Sequence, residues 1–245
     1  MRIAVLSDLH GNLLALEAVH SHLQGQGINF VVNLGDVASG GLAPRETVCR
    51  LMQLGWTTVR GNHERQILNT RPATMSRSDR HARDQLDDEH LAWLDSLPLT
   101  AHIAPGVLAF HGTPYDDMQY LQHTVEPDGA RAATAAEITA RLGDYASWPL
   151  LLCGHTHLQG QTRLSSGALV VNPGSVGWPA YDDDEPYPHV MESGSPSARY
   201  AIVEDTAWGW QATFLTVDYD WESAAQLAEA NKRPDIARQL RSGMA

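Results

Sequence analysis

The sequence has few of the features that a secreted, membrane-spanning or disulfide-stabilised protein needs. Its 245 residues include two cysteines, Cys49 and Cys153, which lie far apart and do not indicate a disulfide framework. No apolar run approaches the roughly 18 residues of a bilayer-spanning helix, and the first residues lack a long apolar leader. These absences predict a cytoplasmic protein without a membrane partner.

Basic residues are also scarce. Lys and Arg number 17 against 29 Asp and Glu, which gives a formal net charge of −12. Binding of long DNA or RNA depends on neutralising many phosphates, so we expect no long nucleic acid partner. A small anionic substrate stays open, because bound dications would reverse the local potential at their own site.

The remaining composition is that of a folded domain. Apolar residues make up 43% of the chain, enough for a substantial core in a protein of this length. We therefore predict a single domain over residues 1–245. Within it, residues 178–197 are predicted to form an irregular acidic loop, and residues 222–242 a C-terminal helical segment.

Short apolar runs that end in polar turns recur along the chain. They are predicted as buried strands over 2–6, 30–34, 57–59, 107–110 and 150–153. Helical patterns between the first three predict right-handed crossovers. The later runs 161–164, 169–171, 200–203 and 211–217 are spaced more like hairpins, and predict a second sheet packed on the first. Further helices are predicted over 71–97, 134–142 and 222–239.

Seven potential metal ligands directly follow these strands: Asp8, His10, Asp36, Asn62, His111, His155 and His157. In Asp8-Leu9-His10 the two polar side chains would point to one side if the backbone stayed extended, and His155-Thr156-His157 repeats the spacing. Ligand sites of open sheets lie at the carboxyl ends of strands. A set of carboxylate, amide and imidazole groups without thiolate favours Mn, Fe, Zn or similar ions.

Each of these motifs alone has an ordinary explanation. Gly-Asp and Gly-Asn are common turn formers, and a single Asp-x-His or His-x-His occurs often without a ligand. Their joint order, with every motif placed after a strand, is what favours a metal centre.

Together the motifs resemble those of the calcineurin-like metallophosphoesterases. They read Ser7-Asp8-Leu9-His10-Gly11-Asn12, Gly35-Asp36, Arg60-Gly61-Asn62-His63-Glu64, His111-Gly112 and Gly154-His155-Thr156-His157. Within that family the chain looks most like the small prokaryotic phosphodiesterases, and Asn172 to Gly177 strengthens this placement as a segment lining the metal cleft. The resemblance covers roughly residues 1–216. It implies the α/β class, as a four-layer αββα sandwich of two packed mixed sheets flanked by helices.

The resemblance also implies two divalent metal ions, with Mn favoured and Fe, Zn, Ni or Co as alternatives. One ion would take Asp8, His10 and His157, and the other Asn62, His111 and His155, while Asp36 would bridge both. His63 is expected to be the catalytic acid or a stabiliser of the transition state.

Two further residues are expected near the substrate, Asn12 and Arg60. Arg60 could contact the phosphate or serve as a surface ion-pair partner. The stretch from Gly35 to Gly41 has Asp36 but lacks the second Asp and the Arg that the phosphoprotein phosphatase branch carries there. This absence argues against protein phosphatase activity. The partner that orients His63 stays open, with Glu64 the nearest candidate in sequence.

The resulting expectation is a phosphodiesterase for a small phosphate ester such as a cyclic nucleotide, with a metal-bridging hydroxide as nucleophile. A phosphomonoesterase, for small molecules or proteins, is the first alternative. A catalytically weak, metal-bound interaction scaffold is the second, although the presence of His63 argues against it. A homodimer stays open.

Overall fold

A computed structural model describes residues 1–245. Single strands alternate with helices as far as α3, and most later strands follow one another without a helix between them. The strands are β1 (Arg2–Leu6), β2 (Phe30–Asn33), β3 (Thr57–Thr58), β4 (Thr100–Ala104), β5 (Val107–Phe110), β6 (His123–Glu126), β7 (Gly129–Ala132), β8 (Leu150–Leu152), β9 (Gln159–Arg163), β10 (Leu169–Pro173), β11 (Ala180–Asp183), β12 (His189–Glu192), β13 (Ala198–Thr206) and β14 (Gly209–Val217). The helices are α1 (Leu13–Leu23), α2 (Pro44–Leu54), α3 (Asn62–Asn69), α4 (Arg77–Gln85), α5 (Asp88–Ser96), α6 (Ala135–Leu142), α7 (Trp221–Ala230) and α8 (Pro234–Ser242).

Ten of the strands form two five-stranded sheets. The first has the order β14-β13-β1-β2-β3, and the second has the order β4-β5-β8-β10-β9. In the first sheet β1, β2 and β3 run parallel, while β13 lies antiparallel to β1. In the second sheet β5, β8 and β10 run parallel between two antiparallel edge strands. Both sheets are therefore mixed.

The cores show how the layers stack. Side chains such as Val5, Val32 and Leu152 form an apolar layer between the two sheets. Helices α1 to α5 cover the outer face of the first sheet, where Leu16 and Leu94 share a core with strand residues. Helix α6 covers the second sheet through a separate core. This is the predicted αββα sandwich, and the prediction is confirmed.

Two details of the sequence prediction are wrong. Strands β13 and β14 extend the first sheet, with Ile3 opposite Val203, and do not join the second. Their apolar periodicity fits either sheet, because both sheets bury one face in the same layer. Residues 178–197 are also not irregular, since β11 and β12 pair as a hairpin with Ala180 opposite Glu192. Their turn residues concealed the short strands.

Local signals explain several element ends. Asn12 caps α1 by accepting a hydrogen bond from the amide of Ala15, and Pro44 starts α2 at a position where its missing N–H costs nothing. The C-terminal segment is helical, as predicted, and consists of two helices separated by residues 231–233. No helix of this fold is long and apolar enough to cross a membrane.

Candidate metal centre

The seven residues predicted as ligands lie together beyond the carboxyl ends of the parallel strands, and we call this set the floor of the cleft: Asp8, His10, Asp36, Asn62, His111, His155 and His157. All are buried, with at most 9% of any residue exposed. The cavity above them has a volume of about 530 Å³. A concave site with this many convergent polar groups is the strongest candidate for function in the molecule.

Backbone conformation sets the floor apart from the rest of the chain. Six residues other than glycine have a positive φ, and five of them are Asp8, His10, Asp36, His155 and His157, with φ between 48° and 69°. This left-handed region is unfavourable for residues with a Cβ, and strain of this kind clusters at functional sites. The expectation of extended Asp-x-His and His-x-His segments is therefore wrong, because tight left-handed turns are what aim these side chains inward.

Backbone hydrogen bonds join the turns of the floor to one another. The amide of Asp8 donates to Gly35 O at 3.1 Å, that of His10 donates to Asp36 O at 3.0 Å, and that of Gly154 donates to His111 O at 2.7 Å. Segments distant in sequence thus hold each other in place.

The first group of potential ligand atoms belongs to Asp8, His10 and His157, whose atoms lie within 4.8 Å of one another. The ring nitrogens Nε2 of His10 and His157 are 3.0 Å apart. Asp8 Oδ1 lies 3.5 Å from His157 Nε2 and is buried without a hydrogen-bond partner. A buried, unpaired carboxylate oxygen is costly, so this atom fits a position beside a cation.

The second group belongs to Asp36, His111 and His155, again within 4.8 Å. Asn62 joins it, since its Oδ1 lies 3.0 Å from His111 Nε2. Asp36 Oδ2 lies 3.1 Å from His111 Nε2 and 4.0 Å from His10 Nε2. Asp36 thus stands between the two groups, in the place expected of a bridging carboxylate.

Carbonyl oxygens orient each of the four imidazoles. Nδ1 of His10, His111 and His157 donates to a backbone carbonyl at 2.6 to 2.7 Å, which leaves Nε2 with its lone pair toward the centre. In His155 the roles are exchanged, because Nε2 donates to Met118 O at 3.0 Å and Nδ1 stays free. Such bonds fix tautomer and ring orientation in metal-binding histidines.

Burial favours neutral rings at two of these positions. Burial, followed by the neighbouring His157, lowers the pKa of His10 to about 3. Burial, followed by His111, likewise lowers the pKa of His155 to about 3. A neutral imidazole is the form that binds a metal.

Glu64 in the first turn of α3 holds the bridging position. Its buried carboxylate accepts hydrogen bonds from the amides of Asp36, Val37 and Gly61 at 2.9, 2.7 and 2.8 Å. Gly61 packs against the Asp36 carboxylate so closely that a Cβ there would overlap Oδ1. Glu64 is therefore a support for Asp36, and the suggestion that it orients His63 is wrong.

His63 has a different partner, which its neighbours in sequence do not reveal. Its Nδ1 lies 2.7 Å from Oδ1 of Asp79 in α4, and Ser76 donates a hydrogen bond to the other Asp79 oxygen at 2.6 Å. Although burial opposes it, the charges of Asp36 and Asp79 raise the pKa of His63 to about 9. Nε2 is left as the ring nitrogen that can reach the cleft, which His63 lines.

Separate segments form one side of the cleft, which we call the wall: Trp178, Tyr181, Asp182 and Asp183 of the β11–β12 region, and Arg233, Asp235 and Gln239 of the C-terminal helices. The Trp178 ring packs edge-on against the His10 ring, with ring centroids 4.9 Å apart, and its Nε1 donates a hydrogen bond to Gln239 Oε1 at 2.8 Å. Arg233 donates to Ser78 at 2.6 Å and pairs with Asp235 at 2.6 Å. The prediction that residues 178–197 border the cleft is confirmed.

Asn12 and Arg60 do not reach the cleft, so the prediction that they contact substrate is corrected. Asn12 is buried, and its amide donates to Gly177 O at 2.9 Å and to the Tyr219 hydroxyl at 3.1 Å. Arg60 lines a separate cavity and lies 3.9 Å from Asp95.

The segment from Asn172 to Gly177 lies behind the floor and does not line the cleft. The Asn172 amide donates to Gly154 O at 2.7 Å, and Ser175 donates to Asp8 O at 2.8 Å. It therefore supports both ligand turns through hydrogen bonds.

Fold and site together are those of a metallohydrolase that can hold a pair of divalent ions. The model of the Calcineurin-like phosphoesterase superfamily domain matches residues 1–192. The chain belongs to this family of metal-dependent phosphoesterases.

Similar proteins extend the likeness over the full chain. Protein MJ0912 of Methanocaldococcus jannaschii is 26% identical over 259 residues, which cover 95% of this chain and 94% of that protein. The crystal structure of a metallophosphoesterase from Sphaerobacter thermophilus is 26% identical with a TM-score of 0.77, covering 99% of this chain and all of that one. Protein PH1004 of Pyrococcus horikoshii OT3 shares the fold at 19% identity and a TM-score of 0.77, covering 99% of this chain and 98% of that one.

Proposed function

We propose that the protein is a phosphodiesterase that uses two divalent ions to hydrolyse a small phosphate diester, with cyclic nucleotides as the first substrates to test. The observation that supports a two-ion site is the position of Asp36, whose carboxylate faces both groups of potential ligands from a left-handed turn. A structural ion pair would need neither the shared position nor the strain.

The residues of the floor fit two ions. Asp8, His10 and His157 would hold one, Asn62, His111 and His155 the other, and Asp36 both. Carboxylate, amide and imidazole donors without thiolate favour Mn, with Fe, Zn, Ni or Co able to occupy the same set. When bound, the ions would supply the positive charge that lowers the pKa of an attacking water and neutralises the phosphoryl oxygens.

His63 and Asp79 would act on the departing group. Asp79 holds Nδ1 of His63 at 2.7 Å and, together with Asp36, favours the protonated ring. A protonated imidazole that lines the cleft can give its Nε2 proton to the leaving oxygen. Asp79 is a positioning residue in this scheme. It takes the place of the second Asp, after Asp36, that the Gly35 to Gly41 stretch lacks.

The space around the floor supports a diester. A second cavity of about 470 Å³ adjoins the cleft and shares Met118, Tyr120, His155 and Asp183 with it. A diester carries two substituents on phosphorus, and the two cavities offer room for one each. A monoester would leave the second cavity without a role.

The experiment combines metal analysis with matched substrates. Purified protein is expected to bind two Mn ions per chain and to hydrolyse bis(p-nitrophenyl) phosphate with a higher kcat/KM than p-nitrophenyl phosphate. Assays of cyclic nucleotides then test the substrate class. A preference for the monoester would make the protein a phosphomonoesterase, and two bound ions without turnover of either compound would indicate a scaffold.

A further inference from the structure

A second constellation of reactive side chains lies in the helical layer, outside the cleft. Cys49 of α2 places Sγ 3.0 Å from Nε2 of His90 in α5. The other ring nitrogen, Nδ1, lies 2.6 Å from Oδ1 of Asp87 and 3.4 Å from the Asp87 amide. The carboxylate is nearer and can only accept, so Nδ1 carries the proton. Nε2 therefore presents its lone pair to the thiol.

This order is that of a nucleophile, a base and a group that orients the base. His90 is buried at 4% exposure, so its ring is held in place between its two partners. Cys49 and Asp87 contact opposite nitrogens of one ring, so the three groups cannot share a metal ion. None of the three lines the cleft. The geometry instead suits removal of the thiol proton.

The thiol is accessible to a small molecule. Cys49 is only partly buried and lines a cavity of about 290 Å³. The cavity is completed by Leu13, Glu17, Arg45, Glu46, Arg50 and Gln53. Arg45 pairs with Asp87 at 2.8 Å, and Arg50 pairs with Glu17. Because the charges largely cancel, the cavity suits a reactant without a large net charge.

Cys153 provides a contrast within the same chain. It is buried at 1% exposure, and burial raises the pKa of its thiol. Its Sγ has no imidazole partner and lies 3.7 Å from Val171 O. Reactivity is thus expected at one of the two thiols only.

The helical position of Cys49 favours thiol–disulfide exchange over acyl transfer. The residue lies in the middle of α2, where backbone amides are committed to bonds with the carbonyls one turn earlier. The amide of Cys49 itself is therefore not free to hold the oxyanion that an acyl transfer develops. Thiol–disulfide exchange needs no such donors, because the charge develops on sulfur.

We propose that Cys49 is a site of thiol–disulfide exchange with small, nearly uncharged disulfides, with His90 as the base and Asp87 as the residue that orients it. His90 Nε2 takes the proton as Sγ attacks one sulfur of the disulfide R–S–S–R. The new bond joins Cys49 Sγ to that sulfur, and the old S–S bond breaks. The departing R–S⁻ receives the proton from His90 and leaves as R–SH. The chain gains one mixed disulfide, and no further oxidant is needed.

The test uses the full-length protein with bis(2-hydroxyethyl) disulfide at pH 7. Mass spectrometry should show one 2-hydroxyethylthio group per chain, on the peptide that contains Cys49, while Cys153 stays unmodified. His90→Gln should slow the second-order rate about tenfold or more, as expected for loss of a general base. Asp87→Asn, which retains an oxygen to cap α5, should slow it by a smaller factor. Asp205→Asn removes an exposed carboxylate that does not line this cavity and should leave the rate unchanged.

Equal rates in the wild type and His90→Gln would overturn the proposal, as would modification of Cys153 at a similar rate. Should His90→Gln fail to fold, Asp87→Asn decides, and an unchanged rate in that variant would overturn it. The readout is independent of phosphate-ester hydrolysis and of bound metal.

Discussion

The floor and the wall of the cleft are built in opposite ways. Floor residues sit on turns whose backbones bond to one another, and five of them have strained φ values. Wall residues reach the cleft through side chains carried by the β11–β12 region and by helix α8 with its N-cap Arg233, all from the last third of the chain. Each motif of the floor is short and local, whereas the wall is assembled from segments that share no motif.

This difference separates chemistry from selectivity. A rigid floor can hold ions in one geometry, and the same floor can serve many phosphate esters. The wall decides which substituent fits above it. Substitutions in the floor should therefore reduce turnover of every substrate, and substitutions in the wall should change the ranking of substrates.

The strongest test of this separation is Asp36→Ala. Loss of the only carboxylate that faces both ligand groups should lower metal content and reduce kcat on all esters by about 10³-fold or more, since several kcal/mol of charge stabilisation depend on the ions. Asp205→Ala, which removes an exposed carboxylate far from the motifs, is the matched control. Two tightly bound ions and ordinary turnover in Asp36→Ala would contradict the bridging role.

His63→Ala should retain both ions and lose turnover in a way that depends on the leaving group. An alkoxide needs a proton as it departs, so alkyl esters should lose about 10²- to 10⁴-fold, while nitrophenyl esters should lose far less. Asp79→Asn should shift both rates in the same direction by a smaller factor. His102→Ala removes an exposed imidazole and serves as control.

Equal losses of the two ester types, with chemistry rate-limiting, would show that His63 stabilises the phosphoryl oxygens instead. Loss of metal in the same variant would make His63 a ligand or a support.

Glu64→Ala tests the support beneath the floor. Three backbone amides lose their buried acceptor, so the free energy of unfolding should fall by about 2–4 kcal/mol. Urea denaturation of the metal-free protein measures it. Glu46→Ala, in the first turn of α2 and exposed, should change stability by less than about 0.5 kcal/mol. An equal small change in both variants would mean that Asp36 is held by other contacts.

The smallest effects are expected in the wall. Shortening the β11–β12 hairpin at its tip, or replacing Arg233 by Met, should change KM severalfold and differently for monoesters and diesters, with kcat on nitrophenyl esters nearly unchanged. Steady-state kinetics on several esters measures this. Unchanged selectivity in both variants would show that the wall does not determine which substrates are hydrolysed.

The same division explains what could be predicted from the sequence. Asp8 and Asp36 follow the parallel neighbours β1 and β2, so their meeting at one edge follows from the topology of a parallel sheet. His111 follows β5 of the second sheet, and its approach to them depends on how the two sheets pack. The left-handed turns could not be predicted, since Asp and His adopt a positive φ more often than most residues but still in a small minority of cases.

The partner of His63 lay outside the reach of sequence reasoning for another reason. Asp79 stands three residues after Ser76, which is the pattern of an ordinary helix start, and only the packing of α4 against α3 brings it to His63. The wrong assignment of β13 and β14 to the second sheet has a similar cause, because period-two alternation does not identify the neighbouring strand.

The five left-handed residues of the floor also set a conflict between thermal stability and activity. At about 1–2 kcal/mol each, their combined strain is about 5–10 kcal/mol, comparable to the net stability of a typical domain at about 5–15 kcal/mol. Glycine at any of them would relax the backbone and remove the ligand at once. Mutations to glycine at these positions would therefore stabilise the fold. Selection for metal binding would remove them during evolution.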